Sequence, residues 1–96
     1  ETVQQITDAG GKGMFVRADV ASAQDVETAV QLTIAEFGGL HIGINNAGIE
    51  GSRDKATHEY DEATFRRVID INLTGVFLCM KAELQAMLGS KTQGAI

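Results

Sequence analysis

The stretch that most limits what this chain can become is Ile42 to Gly48, Ile-Gly-Ile-Asn-Asn-Ala-Gly. Leu40, Ile42 and Ile44 alternate with His41 and Gly43, the period of two that marks a β-strand. Asn45 and Asn46 then place two amides where the alternation stops. Ala47 and Gly48 follow with almost no side chain, leaving the backbone open to close approach. In an open α/β sheet, ligands bind just beyond the carboxyl ends of the strands. A strand that turns polar and then small at that end is therefore a candidate ligand edge. The same residues also suit an ordinary strand running into an Asn-rich turn.

The flanking sequence supplies the rest of an alternating pattern. Glu1 to Ala9 reads as helix, with Val3 and Ile6 on one side and Gly10 and Gly11 as stop signals. Gly10-Gly11-Lys12-Gly13 follows a helix and precedes a strand, the reverse of a phosphate loop, and is read as a turn. Met14 to Val20 is a short strand with Asp19 at its carboxyl end, where a carboxylate serves either the turn into the next helix or a ligand. Ser22 and Asp25 have capping-box spacing, Val26, Ala29, Val30, Thr33, Ile34 and Phe37 recur at helical spacing, and Gly38 closes the helix. Helix, strand, helix, strand implies an α/β fold with parallel strands and right-handed crossovers. Ile49 to Glu59 is polar and aperiodic, a solvated loop placed to border the candidate edge.

A long helix follows. Asp61 is a cap candidate, with Tyr60 and Phe65 spaced as a hydrophobic staple. The helical pattern runs to about Leu88, with Gly89 as the stop, a length of roughly 40 Å. Phe65, Val68, Ile69, Val76, Phe77 and Met80 mark its apolar side, and Ile71 to Met80 is apolar nearly all round except at Asn72, Thr74 and Gly75. Such a helix is buried on more than one face: one face covers the sheet, and the other is expected to meet a second subunit. Asn72 stands out, since Asn costs about 0.7 kcal/mol of helix propensity relative to Ala and an unpartnered buried amide costs about 1–3 kcal/mol. Its amide needs partners, whether it serves structure or chemistry.

Composition narrows the function. A net charge of −5 with no Lys/Arg cluster argues against a nucleic-acid or anionic-membrane surface. The longest strongly apolar run, Val76 to Met80, is too short to cross a bilayer, and no charged-then-apolar leader opens the sequence. Cys79 is the only cysteine, so no internal disulfide forms and a reducing cytoplasm is expected. His41 and His58 lack partners at metal spacing, and no metal is expected. The sequence opens at Glu1 in what reads as the last turns of a helix and stops where an apolar strand is starting at Gly94-Ala95-Ile96, the pattern expected of the middle of a longer protein.

Asn45-Asn46-Ala47-Gly48, preceded by Asp19-Val20 and followed by Val68-Ile69-Asp70-Ile71-Asn72-Leu73-Thr74-Gly75-Val76-Phe77, resembles the short-chain dehydrogenase/reductase family over essentially the whole sequence. The resemblance implies part of a doubly wound, Rossmann-type parallel sheet with flanking helices, and hydride transfer between NAD or NADP and a small alcohol or carbonyl substrate. It implies that Asp19 hydrogen-bonds the adenine amino group, that Val20 lies against the adenine ring, and that Asn46, Ala47 and Gly48 line the ribose and nicotinamide side. Asn45 would brace the central strands. Asn72 matches the catalytic Asn, whose backbone carbonyl holds a relay water, a reason for irregular hydrogen bonding in mid-helix. The helix over 61–88 resembles the dimerisation helix, implying a homodimer or homotetramer. Residues 1–96 would then be the central part of one NAD(P)-binding domain. The Gly-rich turn and the catalytic Ser and Tyr-x-x-x-Lys are not in these residues, Tyr60 having no Lys four positions on, so the 96 residues alone are expected to be inactive. His41 and Gly43 depart from the family's Asp and larger residue. Two other readings stay open: a non-catalytic dinucleotide-binding or oligomerisation module, and an extended-type epimerase or dehydratase, whose usual strand end lacks Asn-Asn-Ala-Gly.

Overall fold

Local hydrogen bonds start the helices where the sequence supplies short polar side chains. In the computed structural model, which describes residues 1–96, Ser22 Oγ accepts the Asp25 N–H at 3.3 Å and opens α2, Ala23–Phe37. Asp61 accepts both the N–H and the hydroxyl of Thr64 at 2.8 Å and opens α3, Glu62–Ile69. A first helix, α1, covers Thr2–Asp8, and α4 covers Val76–Gly89. Between α3 and α4 the chain makes a π-helical turn, Asp70–Gly75, centred on Asn72 and Leu73. The loop before Asp61 contains one short 3₁₀ turn, Thr57–Glu59.

Several sequence expectations are corrected at the element ends. The Ser22/Asp25 box is half made, because the Asp25 carboxylate turns away to accept the Asp19 N–H at 2.9 Å. Gly38 does close α2, at φ 84° with its N–H on the Ile34 carbonyl. Gly89 does not close α4. It is the last helical residue, and the left-handed position falls on Lys91 at φ 55°, with Thr92 N–H returning to the Met87 carbonyl at 2.8 Å. Tyr60 and Phe65 line one cleft with Lys55, Thr57 and Glu62, and the Tyr60 hydroxyl accepts the Ser52 N–H at 3.0 Å.

Met14–Val20 and Leu40–Ile44 were expected as strands, but neither is paired into a ladder here. A strand is fixed by hydrogen bonds to a neighbour, and the only such pairing is a parallel bridge, Ile42 with Ala95, in which Gly43 N–H meets the Ala95 carbonyl at 2.9 Å and Ala95 N–H meets the His41 carbonyl at 3.0 Å. The expected start of a strand at residues 94–96 is thus the one element that finds its partner.

α2 packs along α4, and Val26, Ile71, Ala82 and Met87 form the buried core. Gly43 and Asn45 turn toward α4, while Ile42 and Ile44 are exposed on the opposite face. The apolar side of the long helix also divides. Ile71, Gly75, Ala82 and Met87 face inward, and Phe65, Ile69, Leu73, Phe77, Leu84 and Leu88 form an outward stripe. The sequence pattern had placed Phe65 and Phe77 beside Val68 and Val76. The π turn shifts the register of α4 against α3 by about one residue, and both rings lie on the exposed side.

Candidate functional site

The turn from residue 18 into α2 is tightly bonded. Asp19 Oδ1 accepts the Ala21 N–H at 3.0 Å, the Asp19 carbonyl accepts the Ser22 N–H at 2.9 Å, and Asp19 N–H is held by Asp25. Asp19 Oδ2 accepts from Arg67 Nη2 at 3.1 Å, which ties this turn to α3 across 48 residues of sequence. The Ala21 N–H and then the Arg67 guanidinium hold the Asp19 carboxyl below the usual carboxylate range.

Val20 is brought against the π turn. A Cβ on Gly75 would lie 2.8 Å from Val20 Cγ2 and 3.3 Å from its carbonyl oxygen, so only glycine permits this approach. The end of the Leu40–Ile44 segment meets the same place. A cleft of about 610 Å³ is lined by Asp19, Val20, Ala47, Gly48, Ile49 and Arg67, among others, and an adjoining one of about 220 Å³ by Val20, Asn45, Asn46, Ala47, Gly75 and Cys79, among others. Asp19, Val20, Asn46, Ala47 and Gly48, widely separated in sequence, therefore surround two clefts that share Val20 and Ala47.

Asn72 lines neither cleft. It stands behind the candidate ligand edge, with its Nδ2 donating to the Ile49 carbonyl and its Oδ1 accepting the Ile49 N–H, both at 2.8 Å. A Cβ on Gly48 would lie 3.4 Å from Asn72 Oδ1. The side chain thus copies a strand neighbour and fixes the backbone just after Gly48, while its own backbone lies in the π turn.

Asn45 behaves differently from expectation. Instead of bracing one strand against another, its Nδ2 donates to Glu83 Oε2 at 2.9 Å. Glu83 is 8% exposed on α4, and a Cβ on Gly43 would come within 2.6 Å of its carboxylate. Cys79, one turn away, has its thiol pushed up, first by burial and then by the Glu83 charge. No group of acidic, Cys and His side chains is placed to hold a metal.

The sequence profile of the short chain dehydrogenase family matches residues 1–96. The chain belongs to that family. This short-chain dehydrogenase segment is 41% identical over 91 residues to 2,5-dichloro-2,5-cyclohexadiene-1,4-diol dehydrogenase of Sphingobium indicum, covering 95% of the chain and 36% of that enzyme. It is 34% identical over 96 residues to glucose 1-dehydrogenase 2 of Bacillus subtilis, covering all of the chain and 37% of the relative. Among solved structures it superposes on a short-chain type dehydrogenase/reductase from Mycobacterium marinum with a TM-score of 0.90 at 33% identity, covering 96% of the chain and 36% of that one. On NAD+-bound xylitol dehydrogenase the TM-score is 0.88 at 27% identity, covering 97% and 35%. The chain spans about a third of the length of the curated relatives it matches. These likenesses establish the α/β, Rossmann-type fold class, with this chain as one portion of the doubly wound architecture.

Sequence reasoning missed two residues at this candidate site, Arg67 on the wall of the larger cleft and Glu83 bonded to Asn45 of the adjoining one. Arg67 was hidden by its neighbour Arg66, whose side chain points outward toward Glu62 at 3.9 Å. Glu83 carried a usable signal: a lone carboxylate within an apolar helix, with a glycine at the strand position that faces it.

Proposed function

We propose that this chain is the central, cofactor-facing part of an NAD- or NADP-dependent dehydrogenase acting on a small alcohol or carbonyl compound, with the Gly-rich turn and the catalytic Ser, Tyr and Lys in sequence outside residues 1–96. The observation that carries the reading is the convergence of Asp19, Val20, Asn46, Ala47 and Gly48 on two joined clefts. The larger volume, about 610 Å³, lies within the range of about 300–1,000 Å³ typical of small-molecule sites.

The residues present fit a dinucleotide. Asp19 offers carboxylate lone pairs to a base amine. Val20 and Ala47 offer apolar wall to a flat ring, and Gly48 offers open backbone, backed by Asn72. When bound, the nicotinamide accepts or gives the hydride. Asn72 works behind that surface. Its side chain pins Ile49 and so fixes the wall at residues 46–48, and its backbone lies in the π turn, where its carbonyl would hold the relay water that the family resemblance implies. This assigns cofactor binding to Asp19, Val20, Asn46, Ala47 and Gly48 and the proton relay to Asn72.

The outward stripe from Phe65 to Leu88 supplies the contact with a second copy, giving a homodimer or homotetramer. No helix is long and apolar enough to cross a membrane. The one unpaired cysteine suits a reducing compartment, and on this reading that compartment is the cytoplasm. Residues 1–96 alone are inactive on this reading, since no proton donor of the Tyr–Lys kind is among them.

The test uses the full-length protein. Titration with NAD and NADP is expected to show saturable binding of at least one, and a panel of cyclic and sugar alcohols is expected to give dinucleotide-dependent turnover. Absence of binding to either dinucleotide overturns the reading. Binding without turnover on any alcohol, together with indifference of binding to Asn72→Ala, moves the protein to a binding or oligomerisation module.

A further inference from the structure

The Asp19–Arg67 pair does more than join two elements. Its side chains are 43% and 51% exposed, and ion pairs that open to solvent contribute little to stability. Stability is therefore a weak reason for its placement at the wall of the larger cleft. Its geometric effect is larger. A carboxylate is free to turn about its last torsion, which is broad and two-fold. Here Oδ1 is fixed by the Ala21 N–H at 3.0 Å and Oδ2 by Arg67 Nη2 at 3.1 Å, so both oxygens are located. An ionised carboxylate has about four acceptor positions and no donor. With two filled by the chain, the remainder accept from whatever enters the cleft.

We infer that Arg67 is a positioning residue for base recognition: it holds the Asp19 carboxylate in the one orientation that accepts a purine 6-amino group, and so selects adenine over a 6-oxopurine. The inference rests on the dinucleotide reading above. Adenine presents an amine donor at position 6, which complements Asp19. Hypoxanthine presents a carbonyl acceptor there, which opposes the carboxylate and leaves it unpaired. Without Arg67 the carboxylate keeps only its backbone bond, turns more freely, and is no longer drawn toward α3, so the discrimination weakens. The low proton affinity of Asp19 supports this, since an acceptor that stays ionised discriminates across the working pH range.

The experiment measures dissociation constants of NAD and of nicotinamide hypoxanthine dinucleotide on the full-length protein by calorimetry. NADP and its hypoxanthine analogue are run alongside, and the tighter-bound pair is read. The unsubstituted protein is expected to prefer the adenine form by about tenfold or more, the worth of one hydrogen bond to a charged group. Arg67→Met is expected to narrow the ratio to within about threefold, and Arg67→Lys, which keeps a donor, to retain most of it. If Arg67→Met weakens both dinucleotides equally and leaves the ratio unchanged, Arg67 is structural only and the inference is overturned. Asp19→Asn separates the two levels. If it collapses the ratio while Arg67→Met does not, the inference on Arg67 fails and the dinucleotide reading stands. If it too leaves the ratio unchanged, the placement of the base at Asp19 fails.

Discussion

At the scale of single residues, the two amides that looked alike in the sequence do different work. Asn72 spends its whole amide on Ile49, one bond in each direction. Replacing it with Ala removes both and is expected to cost about 1–2 kcal/mol. Asn72→Asp keeps the acceptor for Ile49 N–H but sets a carboxylate against the Ile49 carbonyl, so it is expected to be no better tolerated. On the proposed function, dinucleotide affinity and kcat of the full-length protein are both expected to fall, with thermal melts separating the stability part. Asn45 is tied to Glu83, and Glu83 in turn needs Gly43 to lack a side chain. Gly43→Ala drives a methyl group into the carboxylate, an overpacking worth about 1–3 kcal/mol. In a Glu83→Ala background the same change is expected to cost little, and a double-mutant cycle by chemical denaturation should return a coupling of at least about 1 kcal/mol. Additive effects would show that the two do not meet. Cys79 reports on the same carboxylate. Burial and the Glu83 charge disfavour its thiolate, so alkylation of Cys79 should accelerate only at a pH above that of an ordinary thiol. Glu83→Gln removes the charge and leaves the burial, and the profile should move part of the way back to lower pH. The Asn72 side chain was legible as one that required partners. Glu83 was marked only as a lone carboxylate in an apolar helix, and its partner Asn45, 38 residues away, could not be read from local spacing.

At the scale of elements, helices were legible and strands were not completed. Ser22, Asp61 and Gly38 act through bonds within four residues of sequence, so local chemistry was enough to place α2 and the start of α3. The extended segments depend on partners far away, and here only Ile42 finds one. The alternation at 40–44 was real, but it did not reveal which face would be covered: Gly43 and Asn45 meet α4, and Ile42 and Ile44 stay 66% and 84% exposed. A strand in a parallel sheet needs cover on both faces. The break in the long helix was foreshadowed by Asn72 and appears as the π turn Asp70–Gly75. Its consequence, a register shift between α3 and α4, could not be read from a uniform 3.6-residue period. That outward stripe carries a prediction of its own. Phe77, 61% exposed, sits in its middle, and Phe77→Glu should lower the oligomeric state of the full-length protein in sedimentation or light scattering while leaving its helix content unchanged. An unaltered mass would mean that the stripe is covered by something other than a second copy.

At the scale of the whole molecule, the dimensions show that this chain does not close a core by itself. A folded chain of 10.2 kDa should expose about 5,300 Å², whereas this one exposes 7,342 Å². A compact chain of 96 residues should have a radius of gyration of about 12.5 Å, and this one has 16.2 Å. Six residues are buried, and none of the large side chains is fully so. The uncovered surface is specific. Phe15, Ile42 and Ile44 lie bare, and the segments at 14–20 and 40–44 have open hydrogen-bonding edges, the condition under which strands pair with foreign chains. The local signals therefore place helices correctly, while the energy that should hold them comes from surfaces these residues do not supply to one another. The isolated 96-residue chain is accordingly expected to melt over a broad temperature range by far-UV circular dichroism, to bind a hydrophobic dye, and to associate as its concentration rises. Within the full-length protein the same residues should melt in one sharp step. A sharp, concentration-independent melt of the isolated chain would show that α2, α4 and the Ile42–Ala95 bridge suffice as a folding unit, and that the sheet neighbours inferred from the family are needed for the proposed cofactor site alone.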